Sequence, residues 1–336
     1  MPPTNADSAW SGRRVLVTGA GGFIGSHLAE TLARAGAQVR AFVRYTSRGD
    51  NGWLELTDPD LASSIEIFRG DLANPEAVAG ALEGREAVFH LGALIPIPYS
   101  YRHPREFVTA NVDGTLNVLE AARRSEPARI VHTSTSEVYG TAQTIPIDED
   151  HPLHPQSPYA ATKVAADQLA LSFQRSFGTP VVIARPFNTY GPRQSARAVV
   201  PTIVTQALTR DMIELGATSP TRDFTFVEDT VQGLMRCALV EGVESEVINL
   251  GTGTEVSIGE VAERILRQLG REVAVSLDQE RLRPPDSEVE RLLASTDKAK
   301  RILGWEARIG LDEGLQRTIE WLTGSLDAYK TSIYNV

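Results

Sequence analysis

Val15-Leu16-Val17-Thr18-Gly19-Ala20-Gly21-Gly22-Phe23-Ile24-Gly25-Ser26 sets an apolar, β-branched run directly against a cluster of glycines. The run over 14–17 reads as a strand and 26–35 as the helix that follows it. Gly19 permits a tight turn, Gly22 lets the backbone approach a pyrophosphate, and Gly25 lets the helix pack close on the strand. Phosphates held there lie at a helix N-terminus, where open N–H groups and the dipole favour anions. In this strand–turn–helix context the spacing predicts a dinucleotide site built from Gly19, Gly22, Phe23, Ile24 and Gly25.

Working outward, further apolar strands are expected at 39–43, 65–68, 87–91, 129–132, 181–184 and 246–250. Helical patterns lie between them at 75–82, 104–124, 158–177 and 230–240. In the second of these, Phe107, Val108, Val112, Leu116 and Leu119 share one face. Ser157 and Pro158 open the third as N-cap and first helical residue. Such alternation means a parallel sheet covered on both faces, an α/β doubly wound (Rossmann) fold. After Asn188 the segments shorten and Gly and Pro become frequent, which suggests a smaller, interleaved C-terminal α/β region. The expected division is 12–188 plus 226–250 for the dinucleotide, and 189–225 plus 251–323 for the substrate.

Composition narrows the partners. The 336 residues carry 33 basic and 43 acidic side chains, a net charge of −10, with 42% hydrophobic and 23% charged residues. That is a globular, soluble composition. The acidic balance argues against nucleic acid or an anionic membrane as the main partner. The single cysteine, Cys237, cannot form an intrachain disulfide and sits in an apolar stretch, so it reads as a core thiol. The polar residues 1–12 carry no export signal, no apolar run reaches a membrane span, and a cytoplasmic location is expected.

Tyr159-Ala160-Ala161-Thr162-Lys163 puts a phenol and an ammonium one helical turn apart on one face. The cation is expected to stabilise phenolate and make Tyr159 a usable base. The preceding strand ends in His132-Thr133-Ser134-Thr135-Ser136-Glu137-Val138-Tyr139-Gly140, where strand ends face the ligand crevice. At the end of the second strand an acid normally holds the adenosine ribose of NAD. Here Val43 is followed by Arg44, with Ser47 and Arg48 close behind. Arg44 suits a 2′-phosphate and leans toward NADP; it reads equally as a solvated arginine at a loop start. Asp71, in Gly70-Asp71-Leu72, is a candidate for the adenine, or a cap for the next helix. Leu72 and Leu91 complete the expected cofactor contacts, and no metal is expected.

Thr18-Gly19-x-x-Gly22-x-x-Gly25, Asn111, Tyr159-x-x-x-Lys163 and Arg185-Pro186-Phe187-Asn188-x-Tyr190-Gly191-Pro192 together resemble the extended short-chain dehydrogenase/reductases of the NAD-dependent epimerase/dehydratase family. The resemblance runs from Arg14 to about Trp321. It implies tightly bound, recycled NAD(P)+, oxidation of a nucleotide sugar at C4 with Tyr159 as base, and a Thr135 hydroxyl on the same oxygen. Thr135-Ser136-Glu137 is similar to the form in the family's 4,6-dehydratases, where the carboxylate takes the C5 proton. Ser136 stands where others carry Asp; a serine hydroxyl is a poor acid, so it reads as orienting or relaying a proton, and the identity of the general acid stays open. Thr133 to Gln143, Ile95 to Tyr101 and Gly191 to Ala198 are most similar to LegB-type dehydratases of UDP- or GDP-N-acetylglucosamine, usually NAD-dependent. The resemblance implies substrate contacts from Pro98, Asn188, Arg193, Arg222 and Arg283, a sugar-pocket loop at Ile95 to Tyr101, and a homodimer through a four-helix bundle. A UDP-glucuronate decarboxylase or a 4-epimerase is the alternative enzyme, and an NAD(P)-sensing protein the alternative outside catalysis.

Overall fold

The computed structural model describes residues 9–329; most of the leading stretch read as carrying no export signal lies outside them. In chain order come β1 (Arg14–Thr18), α1 (Phe23–Arg34), β2 (Gln38–Arg44), β3 (Ile65–Gly70), α2 (Pro75–Leu82), β4 (Ala87–His90), α3 (Ile97–Arg102), α4 (Gly114–Ser125), β5 (Arg129–Thr133), α5 (Pro158–Phe177) and β6 (Val181–Pro186). There follow β7 (Asn188–Tyr190), α6 (Val199–Thr209), β8 (Met212–Leu215), β9 (Thr221–Phe226), α7 (Val227–Leu239), β10 (Val247–Leu250), β11 (Glu255–Ser257), α8 (Ile258–Leu269), β12 (Ala274–Leu277) and α9 (Leu311–Gly324).

Seven parallel strands form one sheet in the order β10-β6-β5-β4-β1-β2-β3. Successive strand residues point to opposite faces, and both faces are buried. Val15 and Val17 join Leu28 and Leu32 of α1 and Leu234 of α7 in one core. Leu16 and Val88 join Val78 and Leu82 of α2, Leu119 of α4 and Ala170 of α5 in the other. The fold is the expected Rossmann-like α/β layer. The chain builds outward from β1 to β3 and then crosses to β4, so the direction of winding reverses between β1 and β4. A crevice at the carboxyl ends of those two strands is the place for a ligand in such a sheet.

Two small sheets accompany it. One is β11-β9-β7, with β9 antiparallel to β11 and parallel to β7; the other pairs β8 with β12. Only Phe187 separates β6 from β7, and β10 returns to the large sheet before β11 leaves it again. Cys237 is fully buried in the core. Among the described residues no helix is long and apolar enough to cross a membrane.

Three local readings are corrected. The helix expected over 26–35 begins at Phe23, because Gly22 itself is its N-cap. The loop expected from Ile95 to Tyr101 is helical from Ile97, with Pro98 in its first turn. The helix expected over 104–124 is interrupted: Pro104–Phe107 is α-helical, Val108–Asp113 forms a π turn, and α4 begins at Gly114. Phe107, the last residue before the π turn, is buried, while Val108, its first, is 45% exposed. Asn111, within the turn, is buried; its Nδ2 donates to Leu94 O (2.9 Å) and Thr162 Oγ1 (3.0 Å), and Oδ1 accepts from Leu94 N (2.8 Å).

Candidate active site

The glycine turn is as tight as the sequence demands. Gly19 has φ +70°, and a Cβ there would lie 2.8 Å from Gly92 N. A Cβ on Gly25 would sit 2.2 Å from Gly19 O, so only glycine allows this helix–strand approach. α5 is capped by Ser157, whose Oγ accepts from Ala160 N at 3.1 Å. The start of α1, by contrast, has no capping side chain and no acid in its first turn. The first-turn amides of Phe23 and Ile24 are thus left for an anion. Beside this turn lies a cleft of about 680 Å³, lined by Gly19, Arg44, Asp71, Leu72, Gly92 and others. Open helix amides next to a roomy cleft fit the pyrophosphate and adenosine of a dinucleotide.

Arg44 is at the cleft mouth, its side chain 77% exposed and Nε 3.8 Å from Asp71 Oδ2. Asp71 is not the cap of α2, which is Asn74; its Oδ1 instead accepts from Ala73 N at 2.9 Å. Leu91 N and Gly92 N both donate to Thr18 Oγ1, at 3.1 and 3.0 Å, which ties the end of β4 to the turn after β1.

Across the crevice, Tyr159 is buried in the first turn of α5, its ring edge-on to Phe107 with centroids 6.3 Å apart. Thr135 caps the short turn Ser136–Tyr139, its Oγ1 accepting from Glu137 N at 3.2 Å. Thr133, Thr135 and Glu137 are part-exposed, whereas Ser134 and Ser136 between them are buried. Lys163 is buried, and Nζ donates to Thr133 O at 2.8 Å.

Burial pushes the Tyr159 phenol well above its ordinary range, a Thr135 hydrogen bond pulls it down, and the charges of Glu137 and Asp167 push it up again. Burial pushes Lys163 itself down to about 8, with Asp167 pulling it up.

On the far wall, Arg222 and Arg283 converge with Glu137. Arg283 Nη1 lies 3.9 Å from Glu137 Oε2 and 3.7 Å from Glu288 Oε1, and Arg222 Nη2 lies 3.4 Å from the same Glu288 oxygen. Arg283 Nη1 and Asn188 Oδ1 are buried with no hydrogen bond, a donor and an acceptor that the protein leaves unsatisfied. Pro98 is part-buried on α3, whose Tyr101 hydroxyl lies 2.6 Å from Ser287 Oγ. Arg193, the remaining expected substrate contact, is held against α1. Its Nη1 pairs with Glu30 of α1 at 2.8 Å, in a cluster with Thr57, so its charge is already matched within the protein.

Sequence reasoning missed Glu288, which bridges the two arginines, and Asp167, buried beneath Lys163. Asp167 had a legible signal: a carboxylate four residues after Lys163 on an otherwise buried face. Glu288 had none, because only the fold brings its loop to Arg222. Among the described residues no group of His, Cys, Asp and Glu could hold a metal ion.

A family model described as GDP-mannose 4,6 dehydratase matches residues 16–318. The dTDP-glucose 4,6-dehydratase of Streptomyces niveus is 33% identical over 317 residues, covering 92% of each chain. UDP-glucuronic acid decarboxylase 6 of Arabidopsis thaliana is 35% identical, covering 94% of this chain and 90% of that one. Among solved structures, MoeE5 in complex with UDP-glucuronic acid and NAD superposes with a TM-score of 0.83 at 35% identity, covering 93% of this chain and 99% of that one.

Proposed function

The chain belongs to the GDP-mannose 4,6-dehydratase family of extended short-chain dehydrogenase/reductases, and from that premise we propose that it is a nucleotide-sugar 4,6-dehydratase. Its substrate in this reading is UDP-N-acetylglucosamine or the GDP counterpart, and its product the 4-keto-6-deoxy sugar. The observation that carries the reading is Glu137: a part-exposed carboxylate next to Thr135, near enough to Tyr159 to act on its ionisation. An epimerase needs no second base there.

In this reading Tyr159 takes the proton from the C4 hydroxyl, while the Thr135 hydroxyl bonds the same oxygen and Lys163 holds positive charge nearby. The chemistry supplied by a bound nicotinamide dinucleotide is hydride storage, taken at C4 and returned at C6, so no net redox occurs. The C4 ketone acidifies C5; Glu137 removes that proton and passes it, with Ser136 as orienting group or relay, to the C6 hydroxyl, which leaves as water. The proton that Tyr159 took from the C4 hydroxyl goes back to C5 to complete the product. Arg222 and Arg283 take the diphosphate, planar charged forks being suited to phosphate oxygens, and Asn188 hydrogen-bonds the diphosphate through its amide N–H or the sugar through either amide atom. Gly19, Gly22, Phe23, Ile24, Gly25, Asp71, Leu72 and Leu91 take the cofactor. The division into 12–188 plus 226–250 and 189–225 plus 251–323 goes with this reading, as does a cytoplasmic location. A homodimer through the helical stretches 104–124 and 158–177 is supported by Val108, in the π turn before α4, and Phe177, at the end of α5, apolar side chains 45% and 52% exposed.

The test is incubation with UDP-, GDP-, dTDP- and CDP-sugars followed by product mass spectrometry. Loss of water from UDP- or GDP-N-acetylglucosamine is expected. An isobaric product would make the chain an epimerase. Loss of carbon dioxide from UDP-glucuronate would make it a decarboxylase, a second reading favoured by Arg283 beside Glu137, a cation available to a sugar carboxylate. Arg44 bears separately on the cofactor. No acid ends β2, and the guanidinium stands open at the cleft mouth. If Arg44 takes a 2′-phosphate, the nucleotide released by denaturing the purified protein is NADP and Arg44→Asp shifts the bound pool toward NAD, whereas the family resemblance points to NAD from the outset. Recovery of NAD alone from the unaltered chain would overturn the 2′-phosphate reading of Arg44.

A further inference from the structure

From the end of β1 to the first turn of α5 runs a chain of buried polar side chains that the proposed reaction does not use, and each hydrogen in it has one available place. Thr18 and His90 are in register on β1 and β4. Thr18 Oγ1 accepts from Leu91 N at 3.1 Å and from Gly92 N at 3.0 Å. Two bonds fill the lone pairs of a hydroxyl oxygen, so its own hydrogen goes to the third neighbour, His90 Nδ1 at 2.9 Å. On the other side of the ring, Thr115 Oγ1 gives its hydrogen to Asn111 O at 2.6 Å. It therefore accepts from His90 Nε2, 3.0 Å away. A proton on Nδ1 would face a hydroxyl oxygen whose lone pairs are already taken. One tautomer fits, with the proton on Nε2.

The chain continues past Thr115. Asn111 Nδ2 donates to Thr162 Oγ1 at 3.0 Å, and Thr162 Oγ1 donates to Tyr159 O at 2.7 Å. Asn111 also holds Leu94 by both of its backbone groups. The stretch 91–94 is thus pinned at its start by Thr18 and at its end by Asn111. Gly92, Ala93 and Leu94 of that stretch line the cleft beside the glycine turn. The wall is closely fitted: a Cβ on Gly92 would lie 2.6 Å from Leu72 Cδ1 and 3.3 Å from Thr18 Oγ1. Thr18, His90, Asn111 and Thr115 are all buried, so a partner removed from among them leaves a polar group unsatisfied.

We propose that His90 is a positioning residue for the dinucleotide: its ring directs the hydroxyls of Thr18 and Thr115, and through them fixes the 91–94 wall against which the cofactor lies. The inference rests on the reading of the cleft as the cofactor site. The place asks for a side chain that accepts at one end and donates at the other. A lysine or arginine only donates, and a phenylalanine fills the volume without doing either. With no acceptor opposite Thr18, its hydroxyl hydrogen loses its partner, and the bonds to Leu91 N and Gly92 N lose their fixed direction. Burial first, then the charges of His132 and Lys163, keeps the ring from taking a second proton.

The test needs neither sugar nor turnover. The full-length chain is loaded with NAD or with NADP, and release of the nucleotide is followed after rapid dilution. His90→Phe is expected to release it about 10-fold faster, the range for one lost buried hydrogen bond, and Thr18→Val to do so by about the same factor. Because His90 acts through Thr18, the double variant is expected to release no more than about twofold faster than the faster single one. Effects that multiply to about 100-fold show two independent actions and overturn the inference. So does a folded His90→Phe protein that releases within about twofold of the unaltered chain. If His90→Phe does not fold, nitrogen NMR of labelled histidine in the unaltered holoenzyme decides, His90 being identified among the six histidines by its shift in Thr18→Val. A proton on Nε2 alone supports the inference, and a proton on Nδ1 overturns it. An unaltered chain that holds neither dinucleotide sinks the cofactor reading and this inference together, whereas a dinucleotide held as firmly without the imidazole sinks the inference alone.

Discussion

Tyr159→Phe is expected to lower kcat by ~10²–10⁴-fold, about 3–5 kcal/mol of transition-state stabilisation, while leaving the melting temperature close to that of the unaltered chain. The ring stays buried against Phe107, so the apolar contact survives. What is lost is the hydroxyl that Thr135 bonds and that, in the proposed reaction, takes the C4 proton. Because C4 oxidation is the first step of dehydration, epimerisation and decarboxylation alike, the substrate-dependent rise in reduced-cofactor absorbance must disappear with turnover. A variant that still reduces its cofactor at the unaltered rate would remove Tyr159 from the mechanism. The unaltered enzyme's pH dependence follows from the same environment. Burial first, then Glu137 and Asp167, hold the phenol above its ordinary value, so activity is expected to climb with pH. The climb should flatten above about 8, where Lys163 loses its charge.

Those expectations were only partly legible in the sequence, and the boundary between what was legible and what was not is physical. The glycine turn, the strands and the Tyr159–Lys163 spacing are local: steric limits, burial periodicity and the helical turn each act within a few residues. Helix starts were readable where a side chain marks them, as Ser157 does, and misread at Gly22, where the missing cap is itself the functional feature. The π turn at Val108–Asp113 has no compositional mark, because one wider turn leaves the apolar count unchanged while rotating the face that follows. Partners distant in the chain were out of reach. Nothing near Arg193 announces Glu30, and nothing near Lys163 announces that its ammonium bonds the Thr133 carbonyl. His132, Asp167 and Arg185 meet because parallel strands with helical crossovers bring distant residues to one level of the sheet. Periodicity says that a residue is inside; it does not say what it meets there.

Glu137→Gln separates dehydration from every other outcome open to this site. The amide keeps the shape of the carboxylate, and the backbone bond from Glu137 N to Thr135 Oγ1 at 3.2 Å does not involve the side chain, so the turn should hold. Arg283 Nη1, 3.9 Å away, loses a counter-charge but keeps Glu288 at 3.7 Å. With Tyr159 and Lys163 intact, mixing with substrate is expected to give cofactor reduction at close to the unaltered rate. Removal of Glu137's charge should in fact ease ionisation of Tyr159, since that charge is one of those holding the phenol up. Loss of water should fall by ~10²–10⁴-fold, the range for losing a positioned general base, so reduced cofactor accumulates where the unaltered enzyme shows only a transient. An epimerase carrying the same substitution would pass through its ketone and complete turnover, because its second step returns hydride to C4 without touching C5. A decarboxylase would release carbon dioxide from its 4-ketone, since the bond that breaks there is C5–C6 and no C5 proton has to be removed. Dehydration at the unaltered rate would exclude Glu137 as the C5 base. The C5 proton would then have to go to another group, and Tyr159, released once the C4 proton has passed on, is a titratable side chain hydrogen-bonded to Thr135.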